Sequence, residues 1–433
     1  MKFFLFECKK MIKKKSIWVA MILSVVAIAG FYFFNYSVAE RVHKTRMLDL
    51  ETSQIDIPEK LAKDRIDLEA AKKAGDSARV LDIEHGISIY EKMLEDKKFQ
   101  WDNIMDGNWA AISEKQYEQL NYFAVTSKSQ NFPVHSIMDQ HVSMFTVRAS
   151  AEERRLVAEI GVEPFVQWDY FAPYHPTAYD NHDGKVLEMW ELGTKRYGKQ
   201  GSYFLYQVIP AFIIPFIILI GCFVFGNNVS SEATKKKRGL NLYAVLPLKR
   251  GQLFFSKYFS GLVLTVVFVV FILCVPLISS LFTSGMGSLQ YPVLIYDGPA
   301  ESPFGFESTI LNEWTDEFHF ITLGEYFSTV LLLTVVLIVF MFSIYYLLSL
   351  FIKNPTVNAA ILLIVTFFGM TVLPKAPYNP FTYVDIHRVV NREFAVVNFN
   401  EAITVGNGLM VLGMIGVIAI GLCYLRFRRY VVE

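Results

Sequence analysis

Between Lys257 and Thr283 the chain reads YFSGLVLTVVFVVFILCVPLISSLF, Tyr258 to Phe282, with no Asp, Glu, Lys, Arg or His. A helix needs roughly 20 apolar residues to cross the hydrocarbon core, where an ionised side chain costs a few kcal/mol. An uncharged run of this length reads as a membrane span. Five further stretches pass the same test: 16–36, 203–225, 327–352, 356–373 and 405–425. The whole chain, 433 residues with 53% hydrophobic and 19% charged side chains, is too apolar for a soluble protein of several ordinary domains. Its formal net charge of zero leaves no basic excess to attract nucleic acid. The sequence therefore predicts an α-helical integral membrane protein with six transmembrane helices.

Orientation follows from the blocks of positive charge, because short cytoplasmic segments carry the excess of Lys and Arg. Lys9, Lys10, Lys13, Lys14 and Lys15 precede the first span, Lys235, Lys236, Lys237 and Arg238 follow the second, Lys353 follows the fourth, and Arg426, Arg428 and Arg429 follow the sixth. Six alternating spans bring all of these to one side. The expected arrangement has both termini in the cytoplasm, a loop at 226–257 and a tail at 426–433 on that side, and external segments at 37–202, 283–326 and 374–404. The apolar run of the first span is longer than the 7–15 residues of a signal-peptide core, so it reads as a retained anchor. Before it, residues 1–15 repeat Phe4, Cys8, Met11 and Ile12 at helical spacing among lysines, the pattern of a helix lying at the cytoplasmic interface.

The segment 37–202 is polar enough to be a mainly helical extracytoplasmic domain inserted after the first span. A helical hairpin is expected over about 57–97. Val80, Ile83, Ile87, Tyr90 and Leu94 form a heptad seam, Ile57, Leu61, Leu68 and Ala71 form the partner stripe, and Gly75-Asp76 makes the turn. Beyond it Trp101, Trp109, Tyr117, Phe123, Phe165, Trp168, Tyr170 and Phe171 predict a small aromatic core. His135, His141, His175 and His182 lack metal-ligand spacing and read as surface side chains, and Cys8, Cys222, Cys274 and Cys423 read as small apolar residues without a metal or redox role. Gly193-Thr194-Lys195-Arg196-Tyr197-Gly198-Lys199 imitates a phosphate-binding loop, but Gln200 stands where Ser or Thr must hold magnesium. No cofactor or metal is expected in this chain.

The loop 226–257 carries the functional information. It contains Glu232 and Ala233, then four basic residues, then Gly239, Leu240, Leu242, Tyr243, Ala244, Leu246, Pro247, Arg250 and Lys257. An apolar helical face followed by Leu246-Pro247-Leu248 exceeds what a basic loop needs, and it presents knobs to a partner. This order resembles the segment between the second and third spans of type-2 ABC exporter permeases (the ABC-2 family). There an acidic residue precedes a short amphipathic coupling helix, and a Pro-x-x-Arg turn leads to a Lys at the next span. Gly239-Leu240 replaces the family's Gly-Thr. Asn379-Pro380-Phe381-Thr382-Tyr383 matches a second family motif, after span five.

The resemblance implies a permease subunit of an ATP-driven exporter in a bacterial plasma membrane. Glu232, Ala233, Leu240, Leu242, Tyr243, Leu246, Pro247 and Arg250 would meet the ATPase. The implied partners are two cytoplasmic ABC ATPase subunits, which hold the ATP and magnesium, a second permease chain, identical or related, and membrane lipids. The absence of charge from the spans disfavours ion-coupled transport and suits an amphipathic cargo such as a peptide, antibiotic or lipid-like molecule. The chain is expected to be non-catalytic: it has no His-Glu-x-x-His, no Gly-x-Ser-x-Gly and no Asp pair within a span. The competing reading is a non-transporting sensor or mechanical transmitter acting through the external domain.

Overall fold

The computed structural model describes residues 2–126, 142–168, 173–229, 250–298 and 310–429. It is mostly helical and divides into two compact units, residues 35–199 and residues 1–34 with 200–433.

In the first of these units, the later part of a helix Lys15–Ala74 and the helix Ser77–Met105 form an antiparallel hairpin. Gly75, at φ 74°, takes the left-handed turn that a side chain would strain, and the Asp76 carboxylate accepts the Arg79 N–H at 3.2 Å to start the second arm. Ile57, Leu61 and Ala71 are buried, and Val80, Ile83, Ile87, Tyr90 and Leu94 are half-buried. The flanks carry ion pairs Asp49–Lys97 at 2.6 Å, Arg65–Glu91 at 2.7 Å and Lys72–Glu84 at 3.1 Å. Trp101 and Trp109 then pack around Leu50, Ile104 and Ile112.

The helices Trp109–Thr126 and Met144–Ile160 enclose a separate core of Leu120, Met144, Val147, Tyr174 and Trp190. Two of the histidines read as surface groups are not at the surface. His182 is buried against the Trp190 ring at 4.7 Å, and His175 is largely buried beside Glu153. His135, His141, Tyr170 and Phe171 lie outside the described residues. Glu153 is fully buried and accepts two hydrogen bonds from the Arg196 guanidinium, both at 2.7 Å. Burial would raise its carboxyl, but Arg196 and His175 outweigh burial and hold it well below the usual range. Burial, with Arg196 adding to it, lowers the His175 imidazole, and Glu153 opposes this only in part.

Among the described residues of the other unit, four helices are long and apolar enough to cross a membrane: Lys15–Ala74 in its first part, Arg250–Ser280, Leu323–Phe351 and Val405–Arg428. Pro355–Thr371 is a shorter apolar helix, begun by Asn354, whose side chain accepts the Thr356 N–H at 3.0 Å, and by Pro355 at its first position. Val19, Ile22, Leu23, Val26, Val267, Ile364, Phe367, Val417 and Ile418 are exposed on these helices. Such continuous apolar surface suits lipid as its solvent. The reading of 203–225 as one continuous helix needs correction. The structure splits it into Gly201–Val208 and Ile213–Phe225, bent by 83°. Pro210 has no N–H to give the ladder and its ring crowds the preceding turn, while Phe212 takes φ 57°.

Close helix approach depends on small residues. A Cβ on Gly261 would sit 2.8 Å from the Phe342 ring and 2.9 Å from the Phe225 carbonyl oxygen. The strands Pro292–Gly298 and Glu317–Thr322 pair antiparallel, and the Thr322–Glu325 capping box turns the second strand into the helix Leu323–Phe351.

Candidate coupling site at the loop stem

Of the predicted partner-facing residues, Glu232, Ala233, Leu240, Leu242, Tyr243, Leu246 and Pro247 lie outside the described residues, and Arg250 alone is placed. What the structure shows is how the two ends of that loop are held.

On the entering side, Gly226 ends the helix Ile213–Phe225, donating its N–H to the Cys222 carbonyl at 2.8 Å. The Tyr345 ring closes over Gly226, where a Cβ would lie 2.5 Å from the ring. Asn227 donates its side-chain N–H to Phe223 O at 2.7 Å and to the Tyr345 hydroxyl at 2.6 Å, and that hydroxyl donates to Pro355 O at 3.2 Å. Asn228, buried, donates to the Lys257 carbonyl at 2.5 Å. The first residues of the loop are thus tied to the helices Arg250–Ser280, Leu323–Phe351 and Pro355–Thr371.

On the leaving side, Arg250 donates through Nη1 to Arg428 O at 2.9 Å, at the end of the helix Val405–Arg428. One turn on, the Phe254 ring contacts Tyr424 and Phe427, each at 5.5 Å between centroids, and Tyr346 at 6.1 Å. Tyr258 and Ser343 share a hydrogen bond at 2.7 Å. Lys257 is fully buried and meets Glu7, also fully buried, at 3.1 Å. Lys10 stands 4.0 Å from the other Glu7 oxygen. Taking two charges out of water is costly unless each keeps its partner, so this pair binds the helix Lys2–Ile12 to the start of Arg250–Ser280.

Glu7, Asn227, Asn228 and Tyr345 were not among the predicted site residues. One signal pointed to Glu7: it is the sole acidic residue before Glu40, in a stretch crowded with lysine. Nothing local marks the two asparagines, whose partners lie far along the chain. The second motif has a structural role. Phe381 packs on Gly369, Tyr383 packs on Gly408, and Tyr383 donates to Pro377 O at 2.6 Å. Asn379 accepts the Phe381 N–H at 3.0 Å and donates to Pro374 O at 3.0 Å, so the motif wedges between the helices Pro355–Thr371 and Val405–Arg428.

Among the described residues no group of three or more His, Cys, Asp or Glu could hold a metal ion. The phosphate-loop imitation spans a helix end, Gly184–Thr194, and a short strand, Arg196–Tyr197. Arg196 is engaged by Glu153, and Lys199 pairs with Glu40 at 3.1 Å. At the stem, hydrogen bonds from Asn227, Asn228 and Arg250 and the Glu7–Lys257 ion pair join the two described ends of the loop to several apolar helices.

No curated protein and no solved structure matches the chain significantly. The family model described as ABC-2 family transporter protein matches residues 3–430, nearly the whole chain, and the protein, a multi-pass membrane permease, belongs to that family.

Proposed function

We propose that the chain is the permease subunit of an exporter powered by a separate ATPase, moving an amphipathic peptide, antibiotic or lipid-like substrate out of a bacterial cell. Two ATPase chains serve one complex, which contains a second permease chain, identical or related. ATP and magnesium are held by the ATPase. In this reading six spans cross the plasma membrane with the bent pair 201–225 as the second, both termini face the cytoplasm, and residues 37–202 lie outside.

The observation that carries the reading is the anchoring of both ends of the loop 226–257. Asn227, Asn228 and Arg250 tie it to the membrane helices, so a partner that moves the loop moves the bundle. Glu232 to Leu248 is the part that docks, with Tyr243 as its central aromatic anchor. The spans carry no Asp, Glu, Lys, Arg or His to bind a driving ion, which favours the loop as the point where energy enters.

The test is to capture the ATPase on the purified permease. Tyr243→Ala is expected to weaken the complex by about 2 kcal/mol or more, roughly thirtyfold, whereas Lys236→Glu mainly slows encounter. Full capture and full substrate-dependent ATP hydrolysis by a correctly inserted Tyr243→Ala chain would remove the loop from the coupling path. Topology is read separately: a cysteine at Ser88 should be labelled from outside intact cells and one at Ser231 should not.

A further inference from the structure

The helix Lys2–Ile12 has two unlike faces. Glu7 and Met11 are buried against the helix Arg250–Ser280, with Glu7 on Lys257 at 3.1 Å. The opposite arc exposes Leu5 (56%), Phe6 (53%) and Ile12 (42%), with Lys9 and Lys13 exposed between them. Lys15 and Trp18 follow, both exposed, and the Trp18 indole N–H donates to Ile12 O at 2.8 Å, tying the two helices at their corner.

Sign and solvent can both be read from this arc. Glu7 is the only carboxylate before Glu40, and the fold withdraws it from the surface, so every charged side chain on the exposed arc is a lysine. Exposed Leu, Phe and Ile interleaved with Lys suit neither water nor the hydrocarbon core, but they match a headgroup layer, where long lysine stems reach phosphates while the apolar side chains enter the acyl boundary. The surface is also continuous with lipid-facing apolar residues, since beyond Trp18 come exposed Val19, Ile22, Leu23 and Val26. A Trp at that corner fits the membrane interface.

We propose that the outward arc of Lys2–Ile12, with Lys15 and Trp18, is a binding surface for anionic phospholipid headgroups, and that burial of Glu7 on Lys257 is what makes it cationic throughout. The occupant is lipid, chosen over a protein by this continuity with the apolar surface of the adjoining span. The inference needs only that the chain is a membrane protein, and it stands or falls independently of what is transported.

The full-length chain is purified, equilibrated with an equimolar mixture of phosphatidylglycerol and phosphatidylcholine, and its retained lipid measured by mass spectrometry. Wild type is expected to retain phosphatidylglycerol at least threefold over its share. Lys9→Gln/Lys13→Gln/Lys15→Gln should abolish that enrichment, while Lys63→Gln/Lys73→Gln/Lys92→Gln, at exposed lysines of the other unit, should keep it. All three forms must run as single species in gel filtration, and the buried pair is untouched in each. No enrichment in wild type, unchanged enrichment in the first variant, or equal loss in both variants overturns the proposal. Loss of a copurifying chain by the first variant, with its lipid ratio unchanged, would assign the arc to a protein partner instead.

Discussion

Tyr383 lies across Gly408 so closely that a Cβ on that glycine would sit 2.5 Å from the phenol ring. The tyrosine is also held from its far end by Pro377, and Asn407 donates to its hydroxyl at 3.3 Å, so it has little room to retreat. Gly408→Ala is expected to cost about 1–3 kcal/mol of stability through overpacking. Gly413, on the same helix, has nothing within 4 Å of an added Cβ, and Gly413→Ala should be neutral or stabilising by up to ~1 kcal/mol. Thermal unfolding of the two purified variants in one detergent makes the comparison, and equal midpoints would refute the wedge.

Lys257 and Glu7 answer each other across 250 positions of sequence. Lys257→Met leaves a buried carboxylate without its main partner, at an expected cost of about 3–5 kcal/mol, visible as lost expression or a lowered midpoint. Glu7→Gln/Lys257→Met, which removes both charges, should recover most of that loss. A double variant no better than the single would mean that the pair is not the source of the cost.

The Lys257 carbonyl accepts from two side chains, Asn228 at 2.5 Å and Ser260 at 3.0 Å. Removing either donor should cost about 1 kcal/mol, because the other still serves the oxygen. Asn228→Ala/Ser260→Ala together should exceed the sum of the singles by about 0.5 kcal/mol or more, since the buried oxygen then has lost both. Strict additivity in unfolding measurements would count against a shared acceptor.

Acid should loosen residues 142–199 before it loosens the membrane helices. His175 is depressed in the fold by burial and Arg196, so below its ordinary value of 6.5 the unfolded chain takes up a proton that the folded chain refuses, and stability falls. Glu153, held well below its ordinary 4.5, contributes stability that is present above that value and lost as the pH drops toward its folded pKa. Both signs point the same way, with His175 acting first as the pH falls below 6.5. Hydrogen exchange of the full chain should show faster opening around Glu153 and Arg196 at pH 5 than at pH 7, and His175→Gln should flatten that difference. Exchange that does not change with pH would contradict the assignment.

The membrane character was legible because an uncharged run such as 258–282 has few other physical meanings. The hairpin seam was legible for a similar reason, as heptad spacing survives in the sequence whatever surrounds it. The break at Ile209–Phe212 was not, since hydropathy averages across Pro210 and Pro215, and membrane helices often tolerate proline. The burial of His175 and His182 depends on partners, Glu153 and Trp190, brought together only by folding. Glu7 shows the same limit more sharply: its solitude among lysines was visible, but its partner is set by tertiary contact. Most of the loop motif lies outside the described residues, and the asparagines at its entry, Asn227 and Asn228, carry no periodic or compositional mark.

The 83° bend between Gly201–Val208 and Ile213–Phe225 changes what the second apolar segment can be as a machine part. A continuous helix is a strut: its ladder of hydrogen bonds carries an axial thrust from one end to the other. A strut with an elbow does not. Under the proposed function, a thrust entering at Gly226 would travel along the arm Ile213–Phe225 and would reach the elbow at 209–212 rather than the far end of the segment. The segment would then act as a crank rather than a piston, its far arm held by separate contacts, the Ser202 N–H on Met286 O at 2.8 Å among them.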